Sequence, residues 1–483
     1  MGLTAFKDFV SLANTAKRIA RTLTITDDVI YVISHVDADG LTTAGILSHL
    51  LLYLNKPFVI KFVNQLKTSV IETLVTDINP KEVIFCDLGS GQLKNIAKMM
   101  TGLQRAIIID HHIPADFDPA HAVFKLFHLN PWLFGYDGGV EISSAGLAYL
   151  IARVFAGDNE QLKDLSKYAI VGALGDNQDV GTKRALVGLN KLILKDAEKR
   201  GIIKSNVDIL LQGREWKPLY QSLAETYRPV LPGITNSMEG ALSFVQSLGL
   251  GLGRLDLDNI TLADLNEEQK ALLLEKLVER LAISLGENAS LDAIKDMLIG
   301  YSYIITDEPK GPTRDAREFA TLLNACGKLG RPEVGFALLV NRRDEFYNES
   351  LSIYKQYRYM LSDILNKVRK SIKDLEEVKM VDGRDFIPEG LSSTVASILA
   401  DTVKDGDIIL VLSKTDDDFI KVSVRKTRYT RIKDVRKIIM KVIKKIERSE
   451  GGGHKAAAGA YIPADKVSEF LENICKAVRE ELK

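Results

Sequence analysis

Cysteine is scarce: Cys86, Cys326 and Cys475 are the only three in 483 residues, and no Cys-x-x-Cys pair occurs. That excludes a disulfide framework and a thiolate zinc site, and it suggests a reducing, cytoplasmic setting. Long apolar runs are missing too. The longest, Ile46 to Leu54, contains Ser48 and His49 and is too short to span a bilayer, so no membrane association is expected. The N-terminus lacks the charged-then-apolar order of a secretory signal. There is no net charge, because 64 basic residues balance 64 acidic ones. Affinity for nucleic acid would therefore have to come from a local patch. What is left is an ordinary globular composition, 46% apolar and 27% charged, long enough for two or three domains.

Against this background four apolar runs stand out, because each ends in Asp or His. Val29–Ser34 leads into His35-Val36-Asp37-Ala38-Asp39-Gly40, and Glu82–Cys86 into Asp87. Arg105–Ile109 leads into Asp110-His111-His112, and Tyr168–Leu174 into Gly175-Asp176. Read as four strands alternating with helical patterns at 41–54, 91–101 and 143–156, they predict βαβ units and a mostly parallel sheet. His35, Asp37 and Asp39 alternate, so an extended chain would aim all three at one volume, with Gly40 allowing the turn into a helix. Ligands of such sheets gather beyond the carboxyl ends of the strands. One Asp or His there is ordinarily a turn or cap residue; four in succession need another explanation.

The residue types supply one. His and Asp without thiolate suit Mn²⁺ or Mg²⁺. Two such ions about 3.5–4 Å apart, sharing a carboxylate, clamp a phosphate and activate water.

These four motifs resemble those of the DHH phosphoesterase superfamily, and Gly451-Gly452-Gly453-His454 resembles the signature of its DHH-associated nucleic-acid-binding domain. Length and spacing together resemble RecJ-like single-strand exonucleases, nearest to the archaeal RecJ homologues that associate with the GINS complex. The resemblance implies two Mn²⁺ or Mg²⁺ ions. One would be held by His35, Asp37 and Asp87, the other by Asp39, Asp87, His111 and Asp176. His112 would face the scissile phosphate, and Asp110 would orient the neighbouring histidine. Bacterial RecJ enzymes carry Asp where this chain has His35. Arg317 and Asn324-Ala325-Cys326-Gly327-Lys328 resemble a phosphate-binding region of RecJ, with Lys328 in place of the usual Arg. Ser423-x-Arg425-x-Thr427 resembles the family's phosphate-contacting strand.

Two features of the second half read as nucleic-acid-binding by themselves. Twelve Lys or Arg lie between Lys421 and Arg448, interrupted only by Asp434 and Glu447 and flanked by Tyr429. Three glycines before the helix-forming His454–Gly459 run would let backbone amides and a helix N-terminus approach a phosphate. Blander readings suit His49 (packing), Ser143-Ser144 (helix capping), and Trp132 and Trp216 (anchors), while His121 and His128 match no motif.

The expected fold is thus α/β: a parallel-sheet domain over 1–190, a helical connector over 191–225, and a helical insertion over 226–300. A smaller α/β nucleic-acid-binding domain would cover 301–483. The expected activity is metal-dependent exonucleolytic cleavage of single-stranded DNA or RNA, with GINS and the replicative helicase as further partners. The alternatives are a replication scaffold with little catalysis, and a phosphodiesterase for oligoribonucleotides or cyclic dinucleotides.

Overall fold

In the computed structural model, which describes residues 7–157, 159–251, 257–285, 290–340, 342–368, 371–403, 406–427 and 430–483, the chain forms two compact units. The first comprises 1–218, 259–265 and 298–354; the second comprises 219–258, 266–297 and 355–483.

The first unit is built on five parallel strands: β1 (Ile30–His35), β2 (Phe58–Val63), β3 (Glu82–Cys86), β4 (Arg105–Ile109) and β5 (Lys125–Leu129). Their order is β2-β1-β3-β4-β5. Inner strands are apolar at nearly every position because both faces are covered. Ile33, Val83, Phe85, Ala106 and Ile108 join one core with Leu93 and Ile96 of the Leu93–Met99 helix. On the other side helices Ala38–Tyr53, Ser144–Arg153 and Ser166–Gly175 pack against one another. Leu41, Ala44, Ile46, Leu47, Leu50 and Leu51 are all buried, so the Ala38–Tyr53 helix is enclosed on nearly every side. Each such leucine contributes roughly 1.5–3 kcal/mol through burial.

Several expectations are corrected here. The fourth apolar run is the helix Ser166–Gly175, and Asp176 is its C-cap. Nearly every residue of that helix is buried, so no helical period marks it, and its length suits a strand equally well. The connector region is not wholly helical. β6 (Ile203–Ile209) pairs antiparallel with β7 (Ile299–Ile305), from Ile203↔Ile305 to Ile209↔Ile299. That pairing, with helix Ala316–Lys328 packed on Ser166–Gly175, ties 298–354 to the first unit and not to a C-terminal domain beginning at 301.

In the second unit a six-stranded mixed sheet comprises β8 (Ile372–Leu375), β9 (Val378–Asp382), β10 (Ile408–Lys414), β11 (Phe419–Lys426), β12 (Glu450–Gly453) and β13 (Ala457–Pro463). Its order is β12-β13-β11-β10-β9-β8. Helices Val435–Ile443 and Val467–Leu482 cover one face, and helix Glu389–Thr402 contacts β10 and β11. The run after the three glycines is a hairpin turn and strand: Gly451–Gly453 pair with Ala458–Ala460, and the His454 amide donates to Ala457 O. The helix N-terminus expected after those glycines does not exist, because in-register pairing with β11 holds 457–463 extended. Arg428 and Tyr429 lie outside the described residues. The insertion is helical, with Met238–Ser247 and Glu267–Leu285 as its principal helices. No helix among the described residues is long and apolar enough to cross a membrane.

Candidate metal centre

The chain stops being a strand at His35. Asp37 N-caps the following helix, accepting from the Gly40 amide at 3.0 Å, and Asp39 sits in its first turn. The triplet therefore does not alternate along a strand as its spacing suggested, and the early turn divides it. His35 Nδ1 lies 3.0 Å from Asp37 and 3.3 Å from Asp87 Oδ2. Asp39 joins a second group with Asp87, His111 and Asp176. There His111 Nε2 lies 3.3 Å from Asp87 Oδ1, 3.1 Å from Asp176 and 4.0 Å from Asp39. The two oxygens of Asp87 thus face the two groups.

Asp87 reaches this position through an unusual backbone. Its φ is +59°, in the left-handed region that Asp and Asn tolerate better than most residues, and its amide donates to Ile109 O at 2.8 Å. Ser144 Oγ donates to its Oδ1 at 3.0 Å. The Ser144 and Ala145 amides, at the start of a helix, donate to the two oxygens of Asp39 at 2.7 and 3.0 Å. The nearby helix Ser166–Gly175 needs glycine at 172, since a Cβ there would sit 2.4 Å from Asp39 Oδ1.

Asp110 and His112 form a pair beside the groups. Asp110 accepts from the Ser90 amide (2.8 Å), the His112 amide (3.1 Å) and His112 Nδ1 (2.7 Å), so both its oxygens are engaged. With Nδ1 donating to Asp110, the His112 ring is held in one orientation, and it is 38% exposed.

Burial opposes charge throughout the cluster. At Asp39 burial is reinforced by Asp176 and Asp87, so its carboxyl lies well above the usual range. Asp176 is also raised by burial, despite His111 beside it. For Asp87 burial alone would favour the neutral acid, yet hydrogen bonds from His111 and His35 hold it well below that range. Burial works against protonating His111 and His35, but Asp176 and Asp37 carry them well above the ordinary imidazole value. The cluster is short of positive charge. Asp176 Oδ2 is buried and faces His111 Nε2 at 3.1 Å without a well-aligned hydrogen bond. His111 gives its Nδ1–H to Gly138 O at 2.6 Å, which leaves Nε2 as a donor atom for a metal. These residues fit two divalent cations, and binding them would release the imidazole protons.

Apart from Trp132, read as an anchor, the surrounding support was not legible in the sequence. Gln178, fully buried, donates to Gly138 O at 2.9 Å, and its Oε1 accepts from Asn190 at 2.6 Å. Trp132 Nε1 donates to His111 O at 2.9 Å. His128, which matched no motif, lies on β5 behind Asp110, 2.8 Å from Ser90 Oγ, where burial pulls its pKa down to about 4. No motif marks these residues; they are polar groups in otherwise buried positions. We expect Gln178→Leu to weaken Mn²⁺ binding about 10- to 100-fold by freeing Gly138 and the His111 ring. Calorimetric titration of Mn²⁺ checks this, and an unchanged Kd would remove Gln178 from that role.

The residues expected to contact nucleic acid belong to both units. Arg317 is engaged by Asp179 and by the carbonyls of Tyr301 and Arg184. Asn324 Oδ1 accepts from the Ala38 amide at 3.0 Å, bracing the helix start that carries Asp37 and Asp39. Lys328, half-buried, ends the same helix. In the second unit Ser423 is buried and bonded to Ser392 at 3.0 Å, and Thr427 is buried against Gly406 O at 2.7 Å. Arg425 donates to Ser397 at 2.9 Å and to Val424 O, with burial lowering its pKa to about 10. Gly451, Gly452 and Gly453 form the β12 edge.

Comparison with known proteins agrees with this architecture. Residues 29–175 match the DHH family N-terminal domain, 211–297 the DHH-CID domain and 378–480 the DHHA1 domain. An uncharacterized protein of Methanocaldococcus jannaschii, MJ0831, is 30% identical over 456 residues, 94% of each chain. Among solved structures, CDC45 from Entamoeba histolytica shares the fold at 13% identity, covering 97% of this chain and 99% of that one, with a TM-score of 0.65. RecJ from Thermus thermophilus in complex with Mn²⁺ does so at 15% identity and a TM-score of 0.58; 99% of this chain spans 56% of that one. With these three domains in order, the chain belongs to the DHH superfamily and is RecJ-like in its organisation.

Proposed function

We propose that the protein is a metal-dependent phosphodiesterase that removes nucleotides from an end of single-stranded DNA or RNA. One observation carries this reading: Asp87 presents one oxygen to the His35–Asp37 group and the other to the Asp39–His111–Asp176 group. Two Mn²⁺ or Mg²⁺ ions held by those groups would supply positive charge to activate water and stabilise the leaving oxygen. The protein's own contribution is orientation. Asp110 holds the His112 ring by Nδ1, so that Nε2 can hold or donate a proton at a phosphate oxygen. Ser144 and the amides at 144 and 145 fix Asp87 and Asp39.

The test is a time course on strands labelled at either end, as DNA and as RNA, with Mn²⁺, Mg²⁺ or chelator. Stepwise loss of nucleotides from one end, abolished by chelator, is expected. Absence of cleavage with every substrate and ion would sink the reading.

A second reading, assembly with GINS and the replicative helicase, draws on the DHH-CID match and the likeness to CDC45. It is compatible with catalysis, since every position of the metal groups carries a ligand-grade residue.

A further inference from the structure

The run of basic residues near the C-terminus reads in the sequence as one phosphate-binding footprint together with Ser423 and Arg425. The sheet of the second unit separates them. Along β11, Ile420, Val422 and Val424 face the core shared with Val435, Ile438, Ile439, Val442 and Ile443. Ser423 and Arg425 point the other way, toward Ser392 and Ser397 of the Glu389–Thr402 helix. The cations of the Val435–Ile443 helix and its flanks lie beyond the core on the far side. They are therefore not extensions of the Ser423–Arg425 strand surface.

Their exposure follows from the helix period. With five aliphatic residues turned inward, Lys437, Lys441, Lys444 and Lys445 fall on the outer side at spacings of four, three and one, and all are exposed. Arg431, Lys433 and Arg448 are exposed at the two ends. Within 430–449 Glu447 is the one exposed acid, while half-buried Asp434 is used as the N-cap. Lys441 pairs with Glu480 at 2.7 Å; Lys433, Lys437, Lys444 and Lys445 make no ion pair with a described residue. In a chain of zero net charge this concentration is local.

We propose that this face binds the phosphate backbone of duplex nucleic acid. Proteins that hold single strands combine charge with aromatic stacking, and residues 430–449 contain no aromatic side chain. Lysines on a convex helix offer point charges without base readout, which suits the dense, regular charge of a duplex. The proposal rests on the reading of the protein as a nucleic-acid enzyme, and it adds a second contact surface for substrates in which a single strand adjoins a duplex.

The test uses the full chain, wild type and a Lys433→Glu, Lys437→Glu, Lys444→Glu, Lys445→Glu variant, with Lys→Gln at the same sites as a milder companion. Binding to a labelled blunt duplex is measured across a salt series in chelator, and cleavage of a short single strand is measured separately with Mn²⁺. Charge reversal is expected to weaken duplex binding at least about tenfold and to reduce the log–log salt slope by roughly 3 to 4, near 0.9 for each phosphate no longer neutralised. The glutamine variant should lie between, and cleavage of the short strand should be unchanged. Duplex affinity and slope equal to wild type in a folded variant would overturn the proposal. So would wild-type protein that ignores duplex and binds phosphatidylserine vesicles through the same lysines. A wild type that cleaves no strand yet binds duplex through this face would defeat the nuclease reading and leave this surface standing.

Discussion

Asp87→Ala is expected to abolish cleavage, by at least about a thousandfold, or ~4 kcal/mol of transition-state stabilisation. The size follows from the position of the residue. Most ligands in the cluster serve one group, but Asp87 serves both, so its loss disables two ion sites together. Removing it also leaves His111 and His35 without the carboxylate that lies 3.3 Å from each. A second readout separates lost chemistry from lost fold. Saturating Mn²⁺ should stabilise the wild type against urea, by about 2.7 kcal/mol at a hundredfold excess over Kd. The variant should show little of that gain. Full activity in Asp87→Ala would rule out a shared-carboxylate mechanism.

Gly172→Ala is expected to lower both stability and metal affinity. On an exposed helix the exchange would help, by roughly 0.5–1 kcal/mol. Here the added methyl would lie 2.4 Å from Asp39 Oδ1, 2.6 Å from Thr42 Oγ1 and 2.7 Å from Ala145 Cβ. Overpacking of this kind costs about 1–3 kcal/mol, and it acts directly on a candidate ligand. The urea midpoint should fall and Mn²⁺ affinity with it. Gly91→Ala, where a Cβ meets nothing within 4 Å, is the control and should stay within about 0.5 kcal/mol of wild type. Equal effects at the two positions would mean that the clash is relieved by movement elsewhere.

These two positions also mark how far the sequence could be read. Asp87 was visible because an apolar run ended on it, and three of the four runs are strands of the parallel sheet. Gly172 was hidden inside the fourth run, whose helix is buried on every side and so shows no amphipathic period. The hairpin at 450–463 was misread for a related reason. Its alanines favour a helix locally, but pairing with β11 overrides that preference. Asn324 and Arg317 were recognisable as a motif, yet their engagement with Ala38 and Asp179 depends on contacts more than a hundred residues apart. Gln178 carried no signal, since a lone glutamine acquires meaning only when burial sets it against a particular carbonyl.

The division of the His35–Asp39 triplet between strand and helix has a mechanical consequence. His35 travels with the sheet, whereas Asp39 travels with the Ala38–Tyr53 helix and is clamped by the amides of a second helix. Any slide of those helices over the sheet would change the distance between the two groups while leaving each helix and strand intact. The spacing of any ions held by the two groups would then depend on layer registry, and substitutions in the helix–sheet core far from any ligand would adjust it.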